Sequence, residues 1–448
     1  MTTPTPAEGT VLGLAAALAS GRTTSRALVE EALARVHDRA TFIALNARAR
    51  EAADAQDALR RAGYVASPLA GLPVSIKDLF DVAGERTLAG SKALDDAPLA
   101  ERDAVVVARL KAAGAVLVGR TNMTEFAYSG VGINPHHGTP GNPYDRSRVP
   151  GGSSSGAGVS AKDGSSVVAI GTDTGGSVRI PAALCGLVGF KPTQARVPLA
   201  GAFPLSGTLD SIGPLARTVS CCAIADAVLA GQPPVLPPAV PVGGLRLAIP
   251  RTIMLDGMDD AVARAFAGAT TALARAGAHI ADIPLAEFVD YATINATGGF
   301  SAAEAFTWHR TLMERRGRDY DPRVRVRIER GRSMTAADYV TLLADRRDFI
   351  AKIDARTDGF DALICPTVPI VAPPKAAFAD DAEFARLNVL LLRNPSIINF
   401  LDRCALTLPI ETPGEAPVGL MLVGRHLEDR RLLGIGLGIE AALSAARD

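Results

Sequence analysis

A helical stretch at about 101–113 stops at Gly114 and gives way, almost without a linker, to the apolar run Ala115-Val-Leu-Val-Gly119. A helix that turns within two residues into a short Val-rich strand buries its apolar stripe by covering the sheet that the strand joins. That is the α/β arrangement. The same alternation recurs along the chain. Amphipathic helices over 25–64 precede Gly71-Leu-Pro-Val-Ser-Ile-Lys-Asp-Leu-Phe80, a short buried strand that carries a lysine inside an apolar run. Leu245-Arg-Leu-Ala-Ile-Pro250 reads as a strand and 259–277 as a helix. Asp361-Ala-Leu-Ile-Cys-Pro366 and Val418-Gly-Leu-Met-Leu-Val423 read as late core strands. Between them, 300–355 is helical: Tyr339, Leu342, Leu343, Phe349, Ile350 and Ile353 recur at helical spacing behind a Thr335 cap with Asp338 three residues on.

With 448 residues, 48% of them hydrophobic, the chain can bury a large core. Length alone allows two or three units, but no break in composition divides it; the Pro-rich stretch 232–242 is a connector. Formal net charge is zero, with 21% of residues charged, so there is no electrostatic footprint for nucleic acid or an anionic membrane. Val11–Ala19 is apolar enough to suggest a leader, yet no basic segment precedes it, and no run reaches the about 18 apolar residues that span a bilayer. Five cysteines (Cys185, Cys221, Cys222, Cys365 and Cys404) make an odd count without C-x-x-C, which favours buried free thiols and a cytoplasmic location.

From Gly130 to Gly158 the composition changes to Gly, Pro, Ser, Asn and His, a loop long enough to be functional rather than a simple connection. Gly152-Ser-Ser-Ser-Gly156 satisfies G-x-S-x-G, but a nucleophile elbow needs a strand directly before it, and here a polar loop, Gly141-Asn-Pro-Tyr-Asp-Arg-Ser-Arg-Val-Pro150, stands in that place. A second cluster, Gly175-Gly176-Ser177, does follow a strand, Ser166-Val-Val-Ala-Ile-Gly171, and a tight turn. Glycines beside a serine let backbone N–H groups turn inward as an oxyanion hole. No Lys follows as a phosphate loop requires, although a turn that only punctuates the strand fits as well. None of the six histidines stands in a metal-binding spacing, and the pair His136-His137 has no acid beside it in sequence. A serine nucleophile needs a base, and without a histidine that leaves lysine. Among seven lysines, Lys77 alone lies in an apolar strand, where desolvation lowers its proton affinity. A lysine snorkelling from the strand end, or paired with Asp78, is the structural alternative.

Taken together and in order, Gly71–Asp78, Gly119-Arg-Thr-Asn-Met-Thr-Glu-Phe-Ala127, Gly151-Gly-Ser-Ser-Ser-Gly156, Gly171-Thr-Asp-Thr-Gly-Gly-Ser-Val-Arg-Ile-Pro-Ala182, Cys185-Gly-Leu-Val-Gly-Phe-Lys-Pro-Thr193 and Asp210-Ser-Ile-Gly-Pro-Leu-Ala-Arg217 resemble the amidase signature enzymes. The resemblance is strongest over about 70–220 and continues to the C-terminus. It implies one large domain over 1–448, a central mixed β-sheet flanked on both sides by α-helices, with a helical substrate-funnel region at about 255–355. It implies Lys77 as general base, Ser177 as acyl-forming nucleophile and Ser153, 24 residues before it and in a cis peptide, as the bridge between them. By the same resemblance the backbone of Thr174, Gly175, Gly176 and Ser177 supplies oxyanion donors. Ser154, Asp173 and Arg179 brace the site, Met123 and Tyr128 touch substrate, and no metal or organic cofactor takes part.

The function expected is hydrolysis of a small amide or urea-type C–N bond, with a homodimer as a possible assembly. The alternatives are the amidase subunit of a tRNA-dependent amidotransferase, which 280–420 does not match in pattern, and a catalytically silent amidase-like binding protein. One further feature bears on substrate. Between Arg310 and Arg332 nine arginines (Arg310, Arg315, Arg316, Arg318, Arg323, Arg325, Arg327, Arg330, Arg332) face four acids. One of them can clamp a substrate carboxylate, or all can be a solvated surface. Val324, Val326 and Ile328 alternate with Arg323, Arg325 and Arg327, which in an extended segment sends arginines to solvent.

Overall fold

Strands whose sequences lie far apart hydrogen-bond into one sheet, and their order explains why distant motifs meet. The structure, a computed structural model, describes residues 9–446; the two ends of the 1–448 expectation lie outside it. In chain order the strands are β1 (Phe42–Leu45), β2 (Pro73–Lys77), β3 (Val116–Thr121), β4 (Val168–Asp173), β5 (Val188–Lys191), β6 (Ser211–Ala216), β7 (Arg246–Pro250), β8 (His279–Ile283), β9 (Ala362–Pro366), β10 (Ala405–Pro409) and β11 (Gly419–Val423). They are arranged β1-β3-β2-β4-β6-β5-β10-β11-β9-β7-β8. The trio β3-β2-β4 is parallel, as is β9-β7-β8, while the intervening pairs are antiparallel. The chain is therefore a single α/β domain with a large mixed sheet covered by helices on both sides.

Burial follows from that layering. Every residue of β2, β3, β4 and β9 is buried, as strands sandwiched between helices must be. The antiparallel edge strand β1 buries Phe42 alone and leaves Ala44 and Leu45 exposed, and β8 buries none of its five residues. The stretch 25–64 is accordingly two helices, Ser25–Ala34 and Ala49–Arg61, with β1 between them. Val11–Ala19 is a helix capped by the Thr10 hydroxyl. Among the described residues no helix is long and apolar enough to cross a membrane. All five cysteines are free and buried.

The arginine-rich segment is helical, not extended. Asp321 caps Pro322–Glu329, and Val324 and Ile328, four apart on one face, are the residues it buries; Val326 stays exposed. That helix lies between Gly299–Arg316 and Ala336–Thr357, the last begun by a capping box of Thr335 and Asp338. The region 255–355 is thus mainly helical but also supplies β8.

Candidate functional site

In a sheet with parallel strands, ligands are met at the carboxyl ends of those strands. Two neighbouring parallel strands here end on charged side chains, β2 on Lys77 and β4 on Asp173, with Ile76 opposite Ile170 in register. Lys77 is fully buried, and its Nζ donates to Ser153 Oγ at 2.7 Å and Thr172 Oγ1 at 2.8 Å. Burial lowers its pKa to about 7, against the opposing charges of Asp210 and Asp173. A lysine in that state can accept a proton near neutrality. Asp78 does not pair with it; that carboxylate binds Arg120 at 2.8 Å instead.

The main chain of Ser153 is fixed by backbone hydrogen bonds. The Gly152–Ser153 peptide is cis, Gly152 N–H donates to Gly130 O at 2.9 Å, and Thr124 N–H donates to Ser153 O at 3.0 Å. A Cβ on Gly152 would sit 2.5 Å from the Gly132 nitrogen, so glycine is what allows these two loop strands to cross. Beyond Ser153 the chain enters the helix Ser155–Asp163, so the irregular segment ends at Ser154. Ser154 Oγ donates to Thr172 O at 3.4 Å, and Ser154 N–H donates to Ser177 O at 3.3 Å, which ties the two serine segments together.

The turn 174–177 is organised by Asp173. Its carboxylate accepts from the backbone of Gly176, Val178 and Arg179 and from the Arg179 guanidinium, with Arg179 Nη2 at 2.9 Å and Asn399 Nδ2 also at 2.9 Å. Burial pushes this carboxyl up, but Arg179, Lys191 and Asn399 outweigh it and hold it well below the usual carboxylate range. Gly176 N–H donates to Asp173 Oδ1 at 2.9 Å. The N–H groups of Thr174, Gly175 and Ser177 have no acceptor among the described residues. Gly176 matters for shape: its φ is +125°, and a Cβ there would lie 2.6 Å from Pro395 Cβ and 2.8 Å from Ile180 Cδ1. Gly176→Ala should cost about 1–3 kcal/mol of stability and lower activity at least tenfold, read by thermal denaturation and by rate. Wild-type values for both would show that the turn does not need this conformation.

Ser177 is 3% exposed, and its Oγ makes no hydrogen bond among the described residues. Lys77 and Ser153 are therefore in contact, whereas the link between the Ser153 and Ser177 hydroxyls is open.

Of the two residues expected at the substrate, Met123 is buried in the main core and Tyr128 packs against that core. Tyr128 O accepts from Arg327 Nη1 at 2.7 Å, and two residues on, Gly130 holds Gly152. Arg327 is the informative member of the arginine segment. Arg310, Arg315, Arg318, Arg325, Arg330 and Arg332 are exposed; Arg316 pairs with Asp96 and Asp319, and Arg323 with Asp381. Arg327 is partly buried over the Phe384 ring, and among the described residues no carboxylate pairs with it. Burial lowers its pKa and raises that of Tyr128 to about 12.

An acid does stand beside the histidine pair, contrary to the sequence reading. Fully buried Glu125 meets His136 Nε2 at 2.8 Å, accepts from Ser91 Oγ at 2.6 Å and from Asp321 N–H at 2.7 Å, and so anchors the start of the Arg327 helix. Sequence reasoning also missed Thr172 and Asp210. Both belong to motifs already singled out: Thr172 touches Lys77, and sheet register sets Asp210 beside Thr174, two residues on from Thr172. Among the described residues no group of three His, Cys, Asp or Glu side chains is placed to hold a metal ion.

The family model for amidases matches residues 24–433. The 2-amino-5-chloromuconic acid deaminase of Comamonas testosteroni is 41% identical over 404 residues, 89% of this chain and 87% of that protein. The AtzE subunit of the 1-carboxybiuret hydrolase of Pseudomonas sp. (strain ADP) is 40% identical, covering 80% of each. A glutamyl-tRNA(Gln) amidotransferase subunit from Roseiflexus sp. (strain RS-1) is 35% identical over 94% of this chain and 93% of its own. A solved structure described as an amidase superposes with a TM-score of 0.87 at 34% identity, over 96% of this chain and 99% of the other.

Proposed function

The chain belongs to the amidase family and is an amidohydrolase, and on that premise we propose that it cleaves the C–N bond of a small carboxylate-bearing amide through an acyl-enzyme on Ser177. The observation that carries this reading is the fully buried Lys77, 2.7 Å from Ser153 and with its pKa lowered to about 7 beside the Gly-Gly-Ser turn.

Ser177 Oγ attacks the amide carbon and passes its proton to Ser153 Oγ, whose own proton goes to Lys77. Closing the open link between the two hydroxyls is what substrate approach must do; such contacts commonly tighten only in the reacting complex. The oxyanion is met by the free N–H groups of the 174–177 turn. The relay then runs backwards, Lys77 to Ser153 to the departing nitrogen, which leaves as ammonia or an amine. Water attacks the ester carbon and loses its proton along the same path, Ser177 recovers a proton, and the acid departs.

Arg327 supplies the recognition element. A partly buried guanidinium with no carboxylate partner, anchored through Tyr128 O next to the Ser153 loop, presents its remaining N–H donors to a planar anion. The names of two relatives, a chloromuconic acid deaminase and a carboxybiuret hydrolase, denote carboxylate compounds. The experiment has two arms. Ser177 should be labelled by a fluorophosphonate, and absence of labelling excludes the acyl-enzyme and favours a silent binding protein. Arg327→Gln should raise KM for an acid substrate about 10- to 100-fold while leaving its neutral isostere nearly unchanged. Equal kcat/KM for acid and neutral isostere in the wild-type enzyme counts against the clamp. The Roseiflexus likeness favours a second reading, one component of an amidotransferase complex. Ammonia release by the purified chain alone, without partner proteins, decides against it.

A further inference from the structure

The amidase reading leaves one buried acid near Lys77 without a role. Asp210 precedes β6, and because Asp173 pairs with Ser211 across the β4–β6 ladder, the register sets Asp210 beside Thr174. Its carboxylate accepts from Thr174 Oγ1 at 2.5 Å, from Leu205 N–H at 3.0 Å and from Ser206 N–H at 3.1 Å. Three other interior acids, Asp78, Asp173 and Asp226, each carry an arginine: Arg120, Arg179 and Arg196. Asp210 has no ion-pair partner within 4.0 Å among the described residues. A buried carboxylate without a cation is costly, and hydrogen bonds offset only part of that cost.

We propose that Asp210 is a positioning residue for the relay, the fixed counter-charge for the ammonium that forms when Lys77 takes up the serine proton. This rests on the Ser177–Ser153–Lys77 reading. Lys77 ends β2, Asp173 ends β4 with Arg179 and Lys191 acting on it, and Asp210 stands just before β6; Glu304 of the Gly299–Arg316 helix reaches the 205–210 loop that carries Asp210. Asp173 is paired with Arg179, which offsets part of its field at Lys77. Asp210 is the largest opposing charge felt by Lys77, and it gives up none of that field to an arginine. A negative charge fixed before the proton moves stabilises the developing cation without reorganisation. The same carboxylate holds the Thr174 hydroxyl, so it couples the base to the turn that carries the oxyanion donors.

The ionisation order suits the task. Burial raises Asp210 to about 6, with the charge of Glu304 adding to the rise against three hydrogen bonds, while Lys77 stands at about 7. Near neutrality Asp210 is thus ionised while Lys77 still has a neutral fraction. Glu304 in turn accepts from Ser206 Oγ at 2.7 Å and Tyr339 Oη at 2.7 Å, which ties the 205–210 loop to the helices above it.

The test is the pH dependence of fluorophosphonate labelling of Ser177 in the full chain, which reads the base without needing the natural substrate. Wild-type labelling should fall on the acid side as Lys77 protonates. In Asp210→Asn, loss of the negative charge lowers the Lys77 pKa, so the acid limb should move down by about one pH unit and the plateau rate should fall about tenfold. In Glu304→Gln, Asp210 ionises more readily and the limb should move up by a few tenths. A role confined to holding Thr174 lowers the rate at every pH and leaves the limb in place; that result in Asp210→Asn overturns the proposal. Should Asp210→Asn not fold, an unmoved limb in Glu304→Gln overturns it instead. Failure of wild-type Ser177 to label refutes the acyl-enzyme reading itself, which keeps the two failures distinct.

Discussion

Ser177→Ala should abolish turnover, by about 10⁴- to 10⁶-fold, and leave a folded protein. The expected loss is large because the proposed reaction has no other nucleophile. Lys77, Ser153 and the free N–H groups of the turn remain in this variant, but Ser153 Oγ is held on Lys77 as the relay and the turn has lost its hydroxyl. The structural cost is small for a specific reason. Ser177 Oγ makes no hydrogen bond among the described residues, so its removal leaves no buried partner unpaired, and the Ser177 carbonyl still accepts from Ser154 N–H. The melting temperature should stay within a few degrees of wild type. Mass spectrometry after fluorophosphonate treatment should find the adduct on Ser177 in the wild-type chain and none in the variant. A labelled Ser177→Ala protein would place the nucleophile elsewhere, and single-turnover acylation in that variant would sink the assignment outright.

How far the site could be read in advance depends on whether a residue acts locally or across the sheet. Lys77 stands out because it interrupts an apolar strand, and Gly175-Gly176-Ser177 because it follows one; both are signals within a few residues. Thr335 with Asp338 is as local, and the capping box forms as its spacing predicts. Thr172 touches Lys77 from 95 residues away, and Asp210, just before a third strand, meets Thr174 only through sheet pairing, so neither position leaves a trace in local pattern. Arg327 is one of nine similar residues until burial and pairing distinguish it. Glu125 lies only eleven residues before His136, but an irregular loop has no periodicity that places the two together. Of the five strands not read in advance, β1 and β8 are edge strands whose residues are largely exposed, so neither shows the apolar run by which β2, β3 and β4 are recognised; β5, β6 and β10 are buried, but glycine or proline within or at the end of each shortens its apolar run. The alternation of valines and arginines over 323–328 imitates a strand because Pro322 begins a short helix whose buried positions, 324 and 328, also differ by an even number.

Lys77→Met should lower the rate by at least about 10³-fold without destabilising the chain, a combination that separates a base from a structural lysine. The sign of the stability effect follows from the depressed proton affinity. The Lys77 pKa is about 7 in the folded chain against an ordinary 10.5. Between those values the unfolded chain holds a proton that the folded chain has released, so wild-type stability rises with pH across about 7 to 10.5. Below about 7 both states hold the proton, and the full cost of burying the ammonium is present. Methionine has similar length and no charge, so the variant should lack this slope and escape that cost. Against this gain, Ser153 Oγ and Thr172 Oγ1 each lose the Lys77 donor, at about 1–3 kcal/mol apiece. The two effects are of similar size, so denaturant midpoints at pH 7 should lie close together. The curves should separate as pH rises toward 10, with the wild-type chain gaining on the variant. A variant that keeps the wild-type rate would remove Lys77 from the relay. A variant that unfolds at pH 7 would mean that the ammonium holds the sheet together, and the buried lysine would then be structural after all.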